Sequence, residues 1–386
     1  MKEKQLLMIP GPTPCPASVL LAHANPMINH RGPQFQAVLS EVATNLKKVF
    51  KTQNDVYILT SSGTGAMEAA IVNTLSPGDK VLSLSIGNFG NRWAKIAKVF
   101  GADVDKMSFP LGTAVDVAAV RTRLQADNAK EIKAVLVQFN ETSTGVVNPM
   151  AEISAVVHEH GALLLVDAVS GLGAIDLDSD ALGLDVVCAG SQKAFMCPPG
   201  LAFISFSPRA LEAAKVAKMP RFYFNILDAK EFADKGQTPW TPAIPQFFGM
   251  QVGLRLMFEE TMEGFQARHL RLRNAVRAGV VALGLDLFVK DETIASPIIT
   301  AIAAPEGIGP DAIRKLALNK YGVVFAVGQD TLKTTHFRIG HLGYVNETDV
   351  FAAISVLGSV LLELGFACDP AAGVVAAQQV ITRELA

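Results

Sequence analysis

The chain has 386 residues, with 34 Lys and Arg against 36 Asp and Glu and a formal net charge of −2. That near-neutral balance argues against a nucleic-acid or acidic-membrane partner. Hydrophobic residues make up 50% of the chain, and at about 150 residues per domain two or three domains with a large core are expected. The four cysteines, Cys15, Cys188, Cys197 and Cys368, are scattered without a CxxC pair. They predict neither a disulfide framework nor a zinc or iron–sulfur site, and no metal is expected; a reducing, cytoplasmic location fits them.

The N-terminal stretch MKEKQLLMIPGPTP has too short an apolar run for a secretory signal. Its prolines, Pro10, Pro12, Pro14 and Pro16, predict an extended segment over residues 1–20. In PQFQAVLSEVATNLKKVFKT the apolar positions Phe35, Val38, Leu39, Val42, Leu46 and Val49 repeat with a helical period. From there strands and helices alternate. DVYILTSS leads into GTGAMEAAIVNTL, DKVLSLS into GNRWAKIAKVFG, and AVLVQFN is followed by AEISAVVHEHG, ALLLVDAVS and DVVCAGS. Short apolar strands alternating with amphipathic helices predict an α/β fold, with a mainly parallel sheet covered on both faces.

After about residue 205 the pattern loosens through RFYFNILDAKEFADKGQTPWTPAIP. One long helix is predicted through QFFGMQVGLRLMFEETMEGF, crossing into an α+β region with strands such as SPIITAIAA and THFRIGHLG. The resulting division is an extended segment 1–20, a large domain 21–255 and a small C-terminal domain 256–386. VFAAISVLGSVLL runs 13 residues without a charge, and Ile354, Leu357, Leu361 and Leu364 share helical spacing. Its length suits a buried core helix rather than a membrane span.

Three features carry chemistry. Asp167 ends the apolar strand ALLLVDAVS, at the edge of a parallel sheet where ligands of such folds bind; an Asp there can equally cap a turn. Lys193 follows 26 positions later in AGSQKAFMCPPG, at the end of the next strand. Its apolar flanks and Pro198–Pro199 argue against a freely solvated loop tip, although a surface lysine is the plainer reading. SSGTGAME forms a glycine-rich turn from strand to helix, whose free N–H groups and Ser62 and Thr64 hydroxyls suit a phosphate. Such turns also serve close packing. Together they point to a ligand with a phosphate, a ring nitrogen and an aldehyde, which is pyridoxal 5′-phosphate.

The ordered set IPGPTPCP, SGTGAMEA, NETSTGV, LLLVDAVS, GSQKAFMCPPG, TPWTP and FRIGHLG spans almost the whole chain. It resembles the class V aminotransferases of pyridoxal-phosphate fold type I, in the branch of the alanine–glyoxylate and serine–glyoxylate (serine–pyruvate) enzymes. Within that branch it is similar to chains labelled as the small subunit of a cyanobacterial soluble hydrogenase. The resemblance implies a seven-stranded, mainly parallel sheet in the large domain. It also implies a homodimer with active sites at the interface, and transamination from a small amino acid to a small 2-oxoacid, glyoxylate or pyruvate.

By the same resemblance Lys193 is the Schiff-base lysine and general base, Gln192 a cofactor contact, and Asp167 the partner of the pyridine nitrogen. Val169 packs on the ring, Thr142 lines the ring pocket, and Ser62, Gly63 and Thr64 hold the phosphate. Relatives often carry a histidine where Thr64 stands. Phe89 falls where the family stacks an aromatic on the ring, although a core phenylalanine is the alternative. Thr241 corresponds to a residue that reaches the neighbouring subunit's phosphate, while Thr238 replaces a tyrosine and inherits no role. Arg338 is the candidate for the substrate α-carboxylate, against a surface salt bridge. His30–Arg31 matches a family pair near the N-terminal pocket, or packs between domains.

Rival readings differ in chemistry. A cysteine desulfurase needs a reactive cysteine ahead of the C-terminal arginine, and VFAVGQDTLKTTHFRIG has none. A lyase or epimerase shares the first proton abstraction. A redox or non-catalytic accessory subunit of a hydrogenase is the rival of another class. Hydrogen chemistry would need cysteine ligands for nickel, iron or an iron–sulfur cluster, which four isolated cysteines do not supply. A purely structural role would need the cofactor to be absent.

Overall fold

The computed structural model describes residues 5–385. A short strand, β1 (Leu6–Met8), precedes helices α1 (Ala17–Ala22) and α2 (Pro33–Phe50). Strand–helix units then follow: β2 (Val56–Ser61) with α3 (Gly63–Thr74), β3 (Lys80–Ser85) with α4 (Asn88–Val99), and β4 (Asp103–Ser108) with α5 (Val117–Gln125). After β5 (Ile132–Gln138) comes a small hairpin, β6 (Asn140–Glu141) and β7 (Val146–Val147), then α6 (Met150–His160) and β8 (Leu163–Asp167). Strands β9 (Val186–Gly190) and β10 (Gly200–Phe206) complete the main sheet, followed by α7 (Pro208–Val216) and α8 (Ile226–Ala233).

The seven strands lie in the order β2-β10-β9-β8-β5-β3-β4. Only β10 runs antiparallel to its neighbours, β9 and β2; the other pairings are parallel. Every residue of β8 and β9 is buried, as strands covered on both faces require. Alternation sorts the side chains of β5 between two cores. Val135 and Val137 pack with Phe35, Ile153 and Leu254 on one face. Ala134 and Leu136 pack with Met67, Trp93 and Ala210 on the other.

The C-terminal half begins with α9 (Ile244–Glu259) and α10 (Met262–Ala282) and continues through β11 (Ile299–Ala303) and α11 (Pro310–Leu316). It ends with β12 (Val323–Val327), β13 (His336–Gly340), α12 (Glu347–Glu363) and α13 (Pro370–Leu385). A second sheet has the order β1-β12-β13-β11 and its own core, including Phe325, Phe337, Ile354 and Leu357. Helix α12 is started by a capping box between Asn346 and Asp349. It buries Val350, Ile354, Leu357 and Leu361 completely, each worth about 1.5–3 kcal/mol over exposure. Among the described residues no helix is long and apolar enough to cross a membrane.

Two predicted elements differ. The extended N-terminal run stops at Pro16, because α1 starts at Ala17, directly after the last of the four prolines. Its β1 pairs in parallel with β12, so this segment is a strand of the second sheet. The single long helix is two, α9 and α10. Thr261 breaks it with a left-handed φ of 63° and caps the second helix by accepting from Gly264 N. A threonine hydroxyl at that position satisfies a helix-start N–H that a continuous helix would have bonded internally.

Candidate active site

The chemistry-bearing residues gather at the C-terminal edge of the main sheet, where β2, β8 and β9 end. Ser62 follows β2 in extended geometry and occupies the N-cap of α3, yet its side chain makes no capping bond. The backbone turns there with Gly65 N donating to Ser62 O at 2.9 Å. Gly63 is required by contact. A Cβ there would stand 2.6 Å from Val169 Cγ2, so Val169 lies directly against the start of α3. Gln192 Oε1 is buried and has no hydrogen-bond partner.

Asp167 closes β8 beside Cys188 of β9. Its side chain is 6% exposed, and Val169 N donates to Oδ1 at 3.0 Å. Burial pushes its carboxyl up to about 6, against the opposing pull of that N–H and of the Arg92 and Lys193 charges. Cys188 and Cys197 are buried free thiols, and Cys15 and Cys368 are partly buried ones.

Lys193 stands in the turn between β9 and β10. Ser191 Oγ donates to Pro198 O at 2.8 Å and Met196 N to Lys193 O at 3.1 Å, which shapes the turn. The proline-rich N-terminal segment forms its other wall. Thr13 N donates to Gln192 O at 3.1 Å, Thr13 Oγ1 to Lys193 O at 2.9 Å, and the lysine Nζ itself to Pro10 O at 2.7 Å. Gly11 has a φ of 140°, and a Cβ there would sit 2.5 Å from Nζ. Burial lowers the Lys193 amine to about 8, helped by the positive charges of Arg338 and Arg92 and opposed by Asp167.

Arg338 is 4% exposed on β13. Nε donates to Val327 O at 2.9 Å and Nη1 to Thr142 O at 2.5 Å; Nη2 bonds to no group among the described residues. Burial brings this guanidinium down to about 10, with Glu141 opposing. It is not a surface salt bridge. Phe89 lies half-buried in the first turn of α4, with the Arg92 guanidinium 4.6 Å from its ring centroid.

The fold therefore brings Gly63, in the turn between Ser62 and Thr64, against Val169, which bonds Asp167. It brings Arg338 against Thr142, with Lys193 within electrostatic reach of Asp167 and Arg338. Thr241 stays outside this cluster, exposed on the turn before α9. Arg31 holds that turn from the N-terminal side, its Nη1 donating to Thr238 O at 2.7 Å and to Gln237 Oε1 at 2.9 Å. Sequence reasoning missed Pro10, Gly11 and Thr13 as walls around Lys193, and also Glu141 and Arg92. A cavity of about 260 Å³ beside α2, β2 and α8 reaches Gln237 and Thr238 but is lined by none of the residues gathered around Asp167, Lys193 and Arg338. Convergent chemistry, not the size of a hollow, marks the site.

The family model for class V aminotransferases matches residues 17–346. The chain is 46% identical to the soluble hydrogenase 42 kDa subunit of Anabaena cylindrica, over 99% of this chain and 100% of the relative. It is 38% identical to the serine–glyoxylate aminotransferase of Hyphomicrobium methylovorum, over 93% of this chain and 90% of the relative. The L-aspartate–glyoxylate aminotransferase of Paracoccus denitrificans (strain Pd 1222) is also 38% identical, over 98% and 96%. Among solved structures, the alanine–glyoxylate aminotransferase from Nostoc sp. superposes with a TM-score of 0.89 at 30% identity, covering 92% of this chain and 95% of that one.

Pyridoxal 5′-phosphate is the cofactor this family implies, and the residues present fit it. The uncapped start of α3 offers backbone N–H groups to a phosphate. The orphaned Gln192 oxygen lacks only a ligand partner, and a buried carboxylate and a desolvated amine stand on neighbouring strand ends. On sequence, fold and donor set alike, this chain belongs to the class V aminotransferases and is a pyridoxal-phosphate-dependent enzyme of the transaminase type.

Proposed function

We propose that the enzyme moves an amino group from a small amino acid, alanine or serine, to a small 2-oxoacid, glyoxylate or pyruvate, in two ping-pong half-reactions. The observation that carries this reading is the open Nη2 edge of the buried Arg338, within electrostatic reach of the Lys193 amine. A guanidinium with one free edge takes one carboxylate, which every amino acid and 2-oxoacid in the scheme possesses. Alanine–glyoxylate and serine–glyoxylate relatives support the choice of substrates.

In this reading Ser62, Gly63 and Thr64 hold the phosphate, Asp167 the ring nitrogen, and Phe89 and Val169 the two ring faces, with Thr142 and Gln192 along the ring edge. Thr241 serves the cofactor of a second subunit in a cytoplasmic homodimer. Beside it, Phe222 stacks on Trp240 at 4.7 Å and is 73% exposed, an aromatic face suited to a second copy. Pyridoxal phosphate, once bound, supplies an electron sink that acidifies the substrate Cα–H. Lys193 Nζ would take that proton from Cα and hold it for return on the far side of the transferred nitrogen, and Arg338 would keep the Cα–H aimed at it.

A panel of amino donors with glyoxylate and with pyruvate tests the proposal. Alanine or serine should give the highest kcat/KM; aspartate or pyridoxamine leading the panel would overturn it. The hydrogenase name of the 46% relative favours a second reading, an accessory subunit. Among the described residues no three His, Cys, Asp or Glu side chains group as a metal site. Stoichiometric nickel or iron in the purified protein would support that second reading.

Lys193 also predicts a pH dependence. Cofactor capture needs the neutral amine, and the buried lysine of the cofactor-free protein loses its proton near 8 instead of 10.5. Below 8 the amine is mostly protonated. The rate of cofactor uptake should therefore climb about tenfold per pH unit up to that point and level off above it. Stopped-flow absorbance on the stripped enzyme reads this directly, and a rate still climbing to pH 10 would contradict it.

A further inference from the structure

Glu141, in the hairpin beside Thr142, is completely buried and receives four hydrogen bonds. Oε2 accepts from Phe89 N at 3.0 Å and from Gly90 N at 3.2 Å, the first turn of α4. Oε1 accepts from Ser143 N at 3.0 Å and from Ser143 Oγ at 2.5 Å. The same hydroxyl accepts from Asn88 N at 3.1 Å, so its proton is committed to Glu141. All four partners are donors, and a proton on either carboxyl oxygen would find no acceptor. Burial pushes the carboxyl up, while these donors and the helix start pull the other way. The nearby cation is Arg338, whose Nη1 bonds the carbonyl of the adjacent Thr142.

We propose that Glu141 is a positioning residue, a buried anion that locks the first turn of α4 to the Thr142–Ser143 loop and so sets Phe89 on the cofactor ring. The inference rests on the reading of Phe89 as the stacking residue. It explains why a carboxylate is retained in a fully buried position without a direct ion pair. One oxygen serves each element, so the two elements cannot shift independently. A substrate carboxylate on Arg338 would share that guanidinium with the anion behind it.

Glu141→Gln is the direct test. An amide presents its oxygen to one cluster and its NH₂ to the other, so either the α4 start or Ser143 faces a donor. Loss of a buried acceptor predicts roughly tenfold faster release of cofactor from the loaded enzyme on dialysis, with a weaker visible circular-dichroism band. Ser143→Ala removes one donor to Glu141 and the acceptor of Asn88 N but keeps the anion; release about two- to fivefold faster is expected, from the loss of two hydrogen bonds. Phe89→Ala should also speed release, and Phe89→Ala/Glu141→Gln should lose cofactor no faster than Phe89→Ala alone, because both changes act through one contact. Wild-type release and dichroism in a folded Glu141→Gln, with Phe89→Ala impaired, would overturn the inference, as would fully additive losses. If Glu141→Gln does not fold, an unchanged Ser143→Ala overturns it instead. A Phe89→Ala enzyme with wild-type release and dichroism would sink the stacking assignment itself.

Discussion

Lys193→Ala is expected to lower kcat by about 10⁴-fold, and to leave the loaded protein without the visible absorbance that a lysine-linked cofactor gives. The size of the loss follows from the two tasks given to one amine, capture of the aldehyde and proton transfer at Cα. No other amine is described at the site. Pro10 O, which accepts from Nζ at 2.7 Å, is a carbonyl and cannot act as a base at neutral pH. The fold should tolerate the change, since Ala194 and Phe195 supply the buried packing of the turn and the lysine backbone carbonyl keeps its bond from Thr13. Added small amines should restore part of the proton transfer. A single-turnover absorbance assay checks the result, and turnover within tenfold of wild type would remove Lys193 from its assigned role.

Asp167→Asn separates function from stability, with opposite signs for the two. Asparagine keeps the acceptor for Val169 N and leaves the β8 ladder intact, but carries no charge to hold a ring nitrogen as a cation. Loss of such an electrostatic partner predicts kcat lower by about 10²–10³-fold. Stability of the cofactor-free protein should move the other way. Burial raises the Asp167 carboxyl from 3.8 to about 6. A group raised on folding favours the folded state below its unfolded value, and that contribution is lost as pH rises through 6. Above that pH the wild type carries an ionised, desolvated carboxylate that costs up to about 3 kcal/mol, judged from the displacement from 3.8 to about 6. Cofactor-free Asp167→Asn should therefore melt higher than wild type at pH 7.5, with the difference shrinking by pH 4. Thermal unfolding at the two pH values measures it. A variant that is both inactive and less stable at pH 7.5 would mean that Asp167 acts as a structural residue.

Much of this molecule is legible along the chain because its signals are local. Strands such as ALLLVDAVS are continuous apolar runs bounded by turns, and β8 and β9 are buried throughout, as a parallel central strand must be. The charge-free run from Val350 emerges as most of α12, with Val350, Ile354, Leu357 and Leu361 on its buried face. The break at Thr261 was not legible, since threonine is tolerated inside helices and nothing nearby announces its left-handed φ. Nor was the strand at Leu6–Met8. Its partner, β12, lies more than 300 residues away in the chain, and no local pattern encodes such a pairing.

The same division runs through the site. Asp167, Lys193 and the Ser62–Gly63–Thr64 turn stand at ends of predicted strands, so alternation along the chain already places them on one sheet edge, and a family resemblance names their ligand. Folding alone decides what surrounds them. Pro10 and Thr13 reach Lys193 across about 180 residues, Arg338 meets Thr142 across 196, and Glu141 ties Phe89 to Ser143 inside the core. The amine near 8 and the carboxyl near 6 belong to that second group. A side chain's charge is written in its residue type, whereas its desolvation is a property of every atom packed around it.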